Sequence, residues 1–193
     1  MHFLLSFVRH PIRIGAPFQC AKGISDTVRN ELMVRDAKSI IELGAGMGSL
    51  TEGIVSALDG RWRPLCVESK ASFCEILFRK FGNRIELAQG NALRVREIVK
   101  GTIWEKPDAI VCSIPLANRD ALPLCKTIAE LLSPAGLYLQ VANCYSAVRA
   151  YFNIEKTHFF LCNLPPERLH RAFPKNDAAK GRNKPDKEGE IHA

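Results

Sequence analysis

From residue 38 onward the chain alternates short apolar runs with stretches of helical spacing, and that alternation limits the fold more than any other feature. "SIIEL" (39–43) precedes "SLTEGIVSAL" (49–58), and "PLCVE" (64–68) precedes "ASFCEILFRKF" (71–81), whose apolar residues recur at i, i+3 and i+4. "RIELAQ" (84–89) and "DAIVCSI" (108–114) read as two further strands. "DALPLCKTIAELL" (120–132) reads as a helix ended by the turn Ser133-Pro134-Ala135-Gly136, and "LYLQVAN" (137–143) as a fifth strand. Strands separated by helices pair in parallel through right-handed crossovers, with both sheet faces covered.

The pattern then changes. "FNIEKTHFFLCNL" (152–164) and "ERLHRAF" (167–173) are strand-like with no helix between them, and Pro165-Pro166 implies a tight hairpin. The expected fold is therefore α/β and Rossmann-like: seven strands, mostly parallel, closed by a C-terminal antiparallel hairpin. Residues 1–37 form an expected helical cap, with residues 2–9 apolar and 24–37 amphipathic, and residues 38–174 form the main domain. The tail, residues 175–193, has almost no apolar side chains and is expected to be disordered.

With 193 residues the chain suits one domain with a proper core. Its net charge of +7 suits an anionic partner, nucleic acid or a membrane surface, or serves solubility alone. Seven cysteines form no CxxC pair and leave an odd count, and Cys66 and Cys112 sit inside apolar strand runs. A reducing cytosolic setting without a zinc site is the expectation. "MHFLLSFVRHPIRIGA" has too short an apolar run for a signal peptide, and no stretch reaches the ~20 apolar residues of a spanning helix.

The loop after the first strand, "IIELGAGMGSLTEGI", carries the chemistry. A dinucleotide fold wants G-x-G-x-x-G, but here the glycines fall at Gly44, Gly46 and Gly48, and Ser49 stands where the last glycine belongs. Glu68 ends the second strand, twenty residues beyond Gly48, where a carboxylate can accept hydrogen bonds from both hydroxyls of a ribose. Glu42, just before the loop, adds negative charge that suits a cation better than a pyrophosphate. Asn91, just past the third strand, offers a side-chain carbonyl to an adenine amine. Ribose, adenine and a positive sulfur together describe S-adenosylmethionine. Taken singly, these residues also read as a glycine turn, a surface glutamate and a loop asparagine.

"VCSIPLANRD" closes the fourth strand. Methyltransferases acting on amines often carry N/D/S-P-P-Y or N-L-P-Y at this place, where a polar first residue and the next carbonyl align the target nitrogen. Ser113 takes the polar place, Pro115 stiffens the turn, and Leu116 replaces the usual aromatic, which argues against stacking on a purine. With "FVRHPIRIGA" and "FFLCNLPPERLHRAF", these segments resemble the bacterial phospholipid N-methyltransferases, relatives of the rRNA adenine dimethyltransferases. The resemblance covers residues 3 to about 173. Departures from the family pattern are "GAPFQCAKGIS" after the N-terminal Gly-Ala, Asn91 for the commoner aspartate, and "LANRD" after the Pro-Leu.

The resemblance implies a class I methyltransferase fold and methylation of phosphatidylethanolamine with S-adenosylmethionine. It assigns Glu42, Gly44, Ala45, Gly46 and Gly48 to the methionine end of the donor, Glu68 and Ser69 to the ribose, and Asn91 with Ala92 to the adenine. Ser113, Pro115 and Leu116 would face the acceptor amine, and Tyr145 would position the head group or fill the core. It also implies an N-terminal helix on anionic lipid, with Phe3, Leu4, Phe7 and Val8 inserted and Arg9, His10 and Arg13 at the phosphates. That protein would sit on the inner face of the cell membrane. The rival readings are an rRNA or DNA adenine methyltransferase, a small-molecule amine methyltransferase, and a non-catalytic member.

Overall fold

The computed structural model describes residues 15–114, 118–133, 135–141, 145–161 and 166–175. Its strands are β1 (Ile40–Leu43), β2 (Leu65–Glu68), β3 (Glu86–Gln89), β4 (Ala109–Cys112), β5 (Leu137–Val141), β6 (Phe152–Phe160) and β7 (Glu167–Pro174). The helices are α1 (Gly15–Val34), α2 (Thr51–Leu58), α3 (Ala71–Phe81), α4 (Val95–Val99), α5 (Asn118–Leu131) and α6 (Tyr145–Tyr151).

The strands form one sheet in the order β3-β2-β1-β4-β5-β7-β6. β1 pairs in parallel with β2 on one side and β4 on the other, so Glu42 stands beside both Cys66 and Val111. β7 runs antiparallel to β5, with Val141 opposite Leu169, and β6 runs antiparallel to β7. The seven strands and the closing hairpin agree with the sequence expectation. The insertion of β7 between β5 and β6 is new.

Period-two alternation divides the core between the two faces. Ile41, Leu43, Val67, Ile110, Cys112 and Tyr138 pack with Val95 and Val99 of α4 and with Leu124, Ile128 and Leu131 of α5. Ile40, Ala109, Val111, Leu137 and Leu139 pack instead with Ile24, Val28 and Leu32 of α1 and with Ile54 and Leu58 of α2. Full burial of each such aliphatic side chain contributes about 1.5–3 kcal/mol. β1, β2, β4 and β5 are buried along their whole length, as strands covered on both faces must be.

Helix α1 begins at Gly15, well before the amphipathic stretch over 24–37, and it shares the core of the sheet. It meets α2 almost backbone to backbone. A Cβ on Gly53 would stand 2.4 Å from the Ser25 carbonyl oxygen, so glycine sets that helix–helix distance. Helices α4 and α6 were not anticipated from the sequence. Cys66, Cys74, Cys112 and Cys125 are buried thiols that form no disulfide among the described residues. Among the described residues no helix is long and apolar enough to cross a membrane. The expected N-terminal helix over 2–9 and the tail from 176 lie outside the described residues.

The topology creates a crevice. From β1 the chain crosses to β2 and then β3 on one side, and β4 returns on the other side of β1. Connections thus leave the carboxyl ends of β1 and β4 in opposite directions, and ligands of open α/β sheets bind at such a switch point.

Candidate functional site

A cavity of about 550 Å³ opens at the carboxyl ends of β1 to β4. Gly44 and Gly46 come from the loop after β1, Glu68 and Ser69 from the end of β2, Asn91 and Ala92 from beyond β3, and Ser113 from the end of β4. Seven residues singled out in the sequence therefore share one wall or another of the same space.

The three loop glycines have different neighbours, although all have left-handed φ (79°, 56° and 85°). A Cβ on Gly44 would collide with Ile114 Cγ1 at 2.6 Å, so this glycine fits β1 against the end of β4. A Cβ on Gly48 would strike the Phe81 ring at 2.4 Å and Leu77 at 3.1 Å, so that position is closed by α3. At Gly46 the nearest atom to such a Cβ is the Gly44 carbonyl oxygen at 4.0 Å, and the open space is the cavity itself. Among the three, only Gly46 leaves room for a ligand against the backbone.

Glu68 is held by its surroundings. Oε2 accepts the Gly46 N–H at 2.9 Å, while Oε1 accepts the Lys70 N–H at 2.9 Å and the Ser69 hydroxyl at 3.3 Å. The side chain is buried yet lines the cavity, so its remaining acceptor capacity faces a ligand in low dielectric. A carboxylate offers about four acceptor sites. Two ribose hydroxyls fit only if the Ser69 hydroxyl, the longest of the three bonds, turns away.

Asn91 caps the short 3₁₀ turn Ala92–Arg94, its Oδ1 accepting the Leu93 N–H at 2.9 Å. One lone pair of that oxygen is thus committed, and the other is left for an amine donor. Ser113 donates its hydroxyl to the Gly44 carbonyl at 2.7 Å, and its N–H reaches the Leu43 carbonyl at 3.1 Å. Both bonds lock the end of β4 to the glycine loop.

Glu42 and Ala45 are not brought to the cavity wall. Ala45 packs with Cys66, Leu77 and Phe81 under α3. Glu42 is buried on the same face, where Oε2 accepts the Thr51 hydroxyl at 2.6 Å and the Cys66 thiol at 3.4 Å, and Oε1 has no partner among the described residues. Burial pushes its carboxyl from the ordinary 4.5 to about 7; the Thr51 and Cys66 bonds pull the other way, and Glu68 adds to the rise. Burial and the neighbouring Glu42 push the Cys66 thiol well above its ordinary range.

Pro115 and Leu116 lie outside the described residues, as does the side chain of Tyr145. The cavity also takes in Lys70, Phe73, Asp120 and Leu124, none of which the sequence reading singled out. Asp120 was readable as an acidic residue in the first turn of α5, but nothing in the spacing ties it to the glycine loop. A second cavity of about 570 Å³, at Arg61, Trp62, Arg84 and Trp104, lies at the amino ends of the strands, away from these residues. No group of metal-ligating side chains occurs among the described residues.

The walls fit S-adenosylmethionine on their own chemistry: a fixed carboxylate for a ribose, a glycine that leaves backbone space, and an acceptor at the adenine place. No family model matches the chain. Over 176 residues it is 26% identical to the ornithine lipid N-methyltransferase of Singulisphaera acidiphila, covering 85% of this chain and 90% of that one. The N-methyltransferase NodS of Bradyrhizobium japonicum superposes with a TM-score of 0.64 at 13% identity, covering 82% of this chain and 97% of that one. The glycopeptide N-methyltransferase MtfA, complexed with sinefungin, superposes with a TM-score of 0.60 at 15% identity over 79% and 87% of the two chains.

Proposed function

We propose that this protein, a class I S-adenosylmethionine-dependent methyltransferase, methylates the amine of a membrane amino lipid, with phosphatidylethanolamine as the expected acceptor. The observation that carries this reading is the lipid N-methyltransferase relative, which aligns with nearly the whole of both chains. Leu116 in place of an aromatic also favours an aliphatic amine over a purine.

When bound, S-adenosylmethionine supplies a methyl group on positive sulfur, open to displacement by an amine lone pair. The protein's part is alignment and the exclusion of water. Glu68 holds the ribose, and Asn91 with Ala92 receives the adenine. Gly44 and Gly46 let the backbone approach the donor, with Ala45 and Gly48 keeping the loop packed on α3. Glu42 supports the loop from beneath, holding the Thr51 hydroxyl and the Cys66 thiol. Ser113 fixes the turn whose following residues, Pro115 and Leu116, face the acceptor, and Tyr145 orients the head group.

Membrane attachment belongs to the same reading. Helix α1 leads into β1 and packs on the sheet through Ile24, Val28 and Leu32. Gly23 of this helix lies within 3.8 Å, measured from a Cβ, of Phe160 at the end of β6. The segment before Gly15, with its apolar Phe3, Leu4, Phe7 and Val8 and its cationic Arg9, His10 and Arg13, has the composition to meet the anionic inner face of the cell membrane.

The test is transfer of label. The purified protein is incubated with methyl-labelled S-adenosylmethionine and either phosphatidylethanolamine vesicles containing anionic lipid or total RNA. Label is expected in the lipid. Label in RNA and none in lipid would sink the proposal.

A further inference from the structure

We infer that Asp120 forms an ammonium subsite, so the cavity selects acceptors that carry a cationic amine. The inference rests on the function proposed above and names the group that receives its substrate.

Among the described residues two carboxylates line the cavity, Glu68 and Asp120. In the sheet order Glu68 closes β2 and Asp120 follows β4, with β1 and its glycine loop between them. Both line the cavity, Glu68 from the end of β2 and Asp120 from the first turn of α5, which also packs on the Ala92–Arg94 turn. Ser69, Asn91 and Ala92 of the same lining are the donor's expected contacts. Three donors already occupy Glu68: the N–H groups of Gly46 and Lys70, and the Ser69 hydroxyl. Little of its acceptor capacity remains after a ribose.

The lining at the end of β4 and the head of α5 is different. Ser113 has given its hydroxyl to the Gly44 carbonyl, and Ile114 and Leu124 are apolar. Asp120 is the ionisable group on that wall among the described residues, and it pairs with no other described residue. A half-buried carboxylate set among apolar neighbours attracts a cation more strongly than one in open water. A lipid amine is an ammonium at neutral pH and needs such a partner to leave water. It then yields one proton to solvent water at the cavity mouth, which frees the lone pair that displaces the methyl. An acidic residue in the first turn of a helix also complements the helix dipole. That role alone would leave acceptor binding indifferent to the charge of Asp120.

The experiment uses the full chain, labelled S-adenosylmethionine, and vesicles of phosphatidylethanolamine with anionic phosphatidylglycerol. Asp120→Asn is expected to raise the lipid KM about tenfold or more, the loss typical of a charge-assisted hydrogen bond, with kcat and donor affinity close to wild type. Asp120→Glu should restore most of the lost affinity. An unchanged KM in Asp120→Asn, or an Asp120→Glu variant as impaired as Asp120→Asn, overturns the inference. Should the wild type label no amino lipid, the proposed function fails, and the subsite is then judged by calorimetry with ethanolamine and S-adenosylhomocysteine. Ethanolamine binding that is lost in Asp120→Asn supports it; equal binding, or none by the wild type, overturns it.

Discussion

The Glu68 carboxylate at the end of β2 accepts the Gly46 N–H at 2.9 Å, across 22 positions of sequence. This bond couples the two features that identify the donor site, a carboxylate for the ribose and a glycine that clears space beside it. Either one shifted would misplace the other.

Glu68→Ala should therefore weaken S-adenosylmethionine binding by about 2–4 kcal/mol, the worth of two charge-assisted hydrogen bonds. Ser69→Ala should leave donor affinity unchanged or improved, because its hydroxyl competes for the same carboxylate oxygen. Calorimetric titration of the two variants reads both. A Ser69→Ala variant as weak as Glu68→Ala would mean that the serine itself binds the donor.

Gly46 and Gly48 should separate binding from stability. Gly48→Ala drives a methyl into Phe81 and Leu77 on top of its left-handed φ, costing about 1–3 kcal/mol or more of stability. Gly46→Ala meets open space, so its stability cost should stay near 1 kcal/mol while the methyl fills the donor's place. Thermal unfolding and donor titration, run on both variants, should rank them in opposite orders. The same ranking in both measurements would refute the division.

Glu42 gives a pH dependence of defined sign. Its folded carboxyl titrates at about 7 and its ordinary value is 4.5, so between these pH values the folded chain holds a proton that the unfolded chain has lost. Stability should fall as pH rises through that window, by about 3 kcal/mol in all, and stay level with respect to this group above it. Urea midpoints from pH 4.5 to 8 measure the slope. In Glu42→Gln the slope should flatten, and a slope that persists there would have to come from another group.

Much of the fold was legible because burial on both faces leaves a strong mark. "IIEL", "LCVE" and "AIVC" are apolar at nearly every position, which suits central parallel strands and little else. The glycine spacing and Glu68 were legible for a similar reason, since strand ends fix where such residues fall. Helix α6 was missed because seven residues, Tyr145–Tyr151, give too little periodicity to read. The position of β7 was missed because a hairpin pattern says that β6 and β7 pair, and not which of them meets β5.

By itself the sequence determined the α/β class, the loop that meets the donor, and the carboxylate that follows it, because local pattern and spacing carry those. Only the tertiary structure decided which residues share the cavity. It closed α3 over Gly48 and sank Glu42 beneath the loop, and it brought Asp120 of α5 into the same cavity lining as Glu68. The physical reason is that these outcomes depend on contacts between elements far apart in the chain, where packing distance and not spacing determines what a side chain meets.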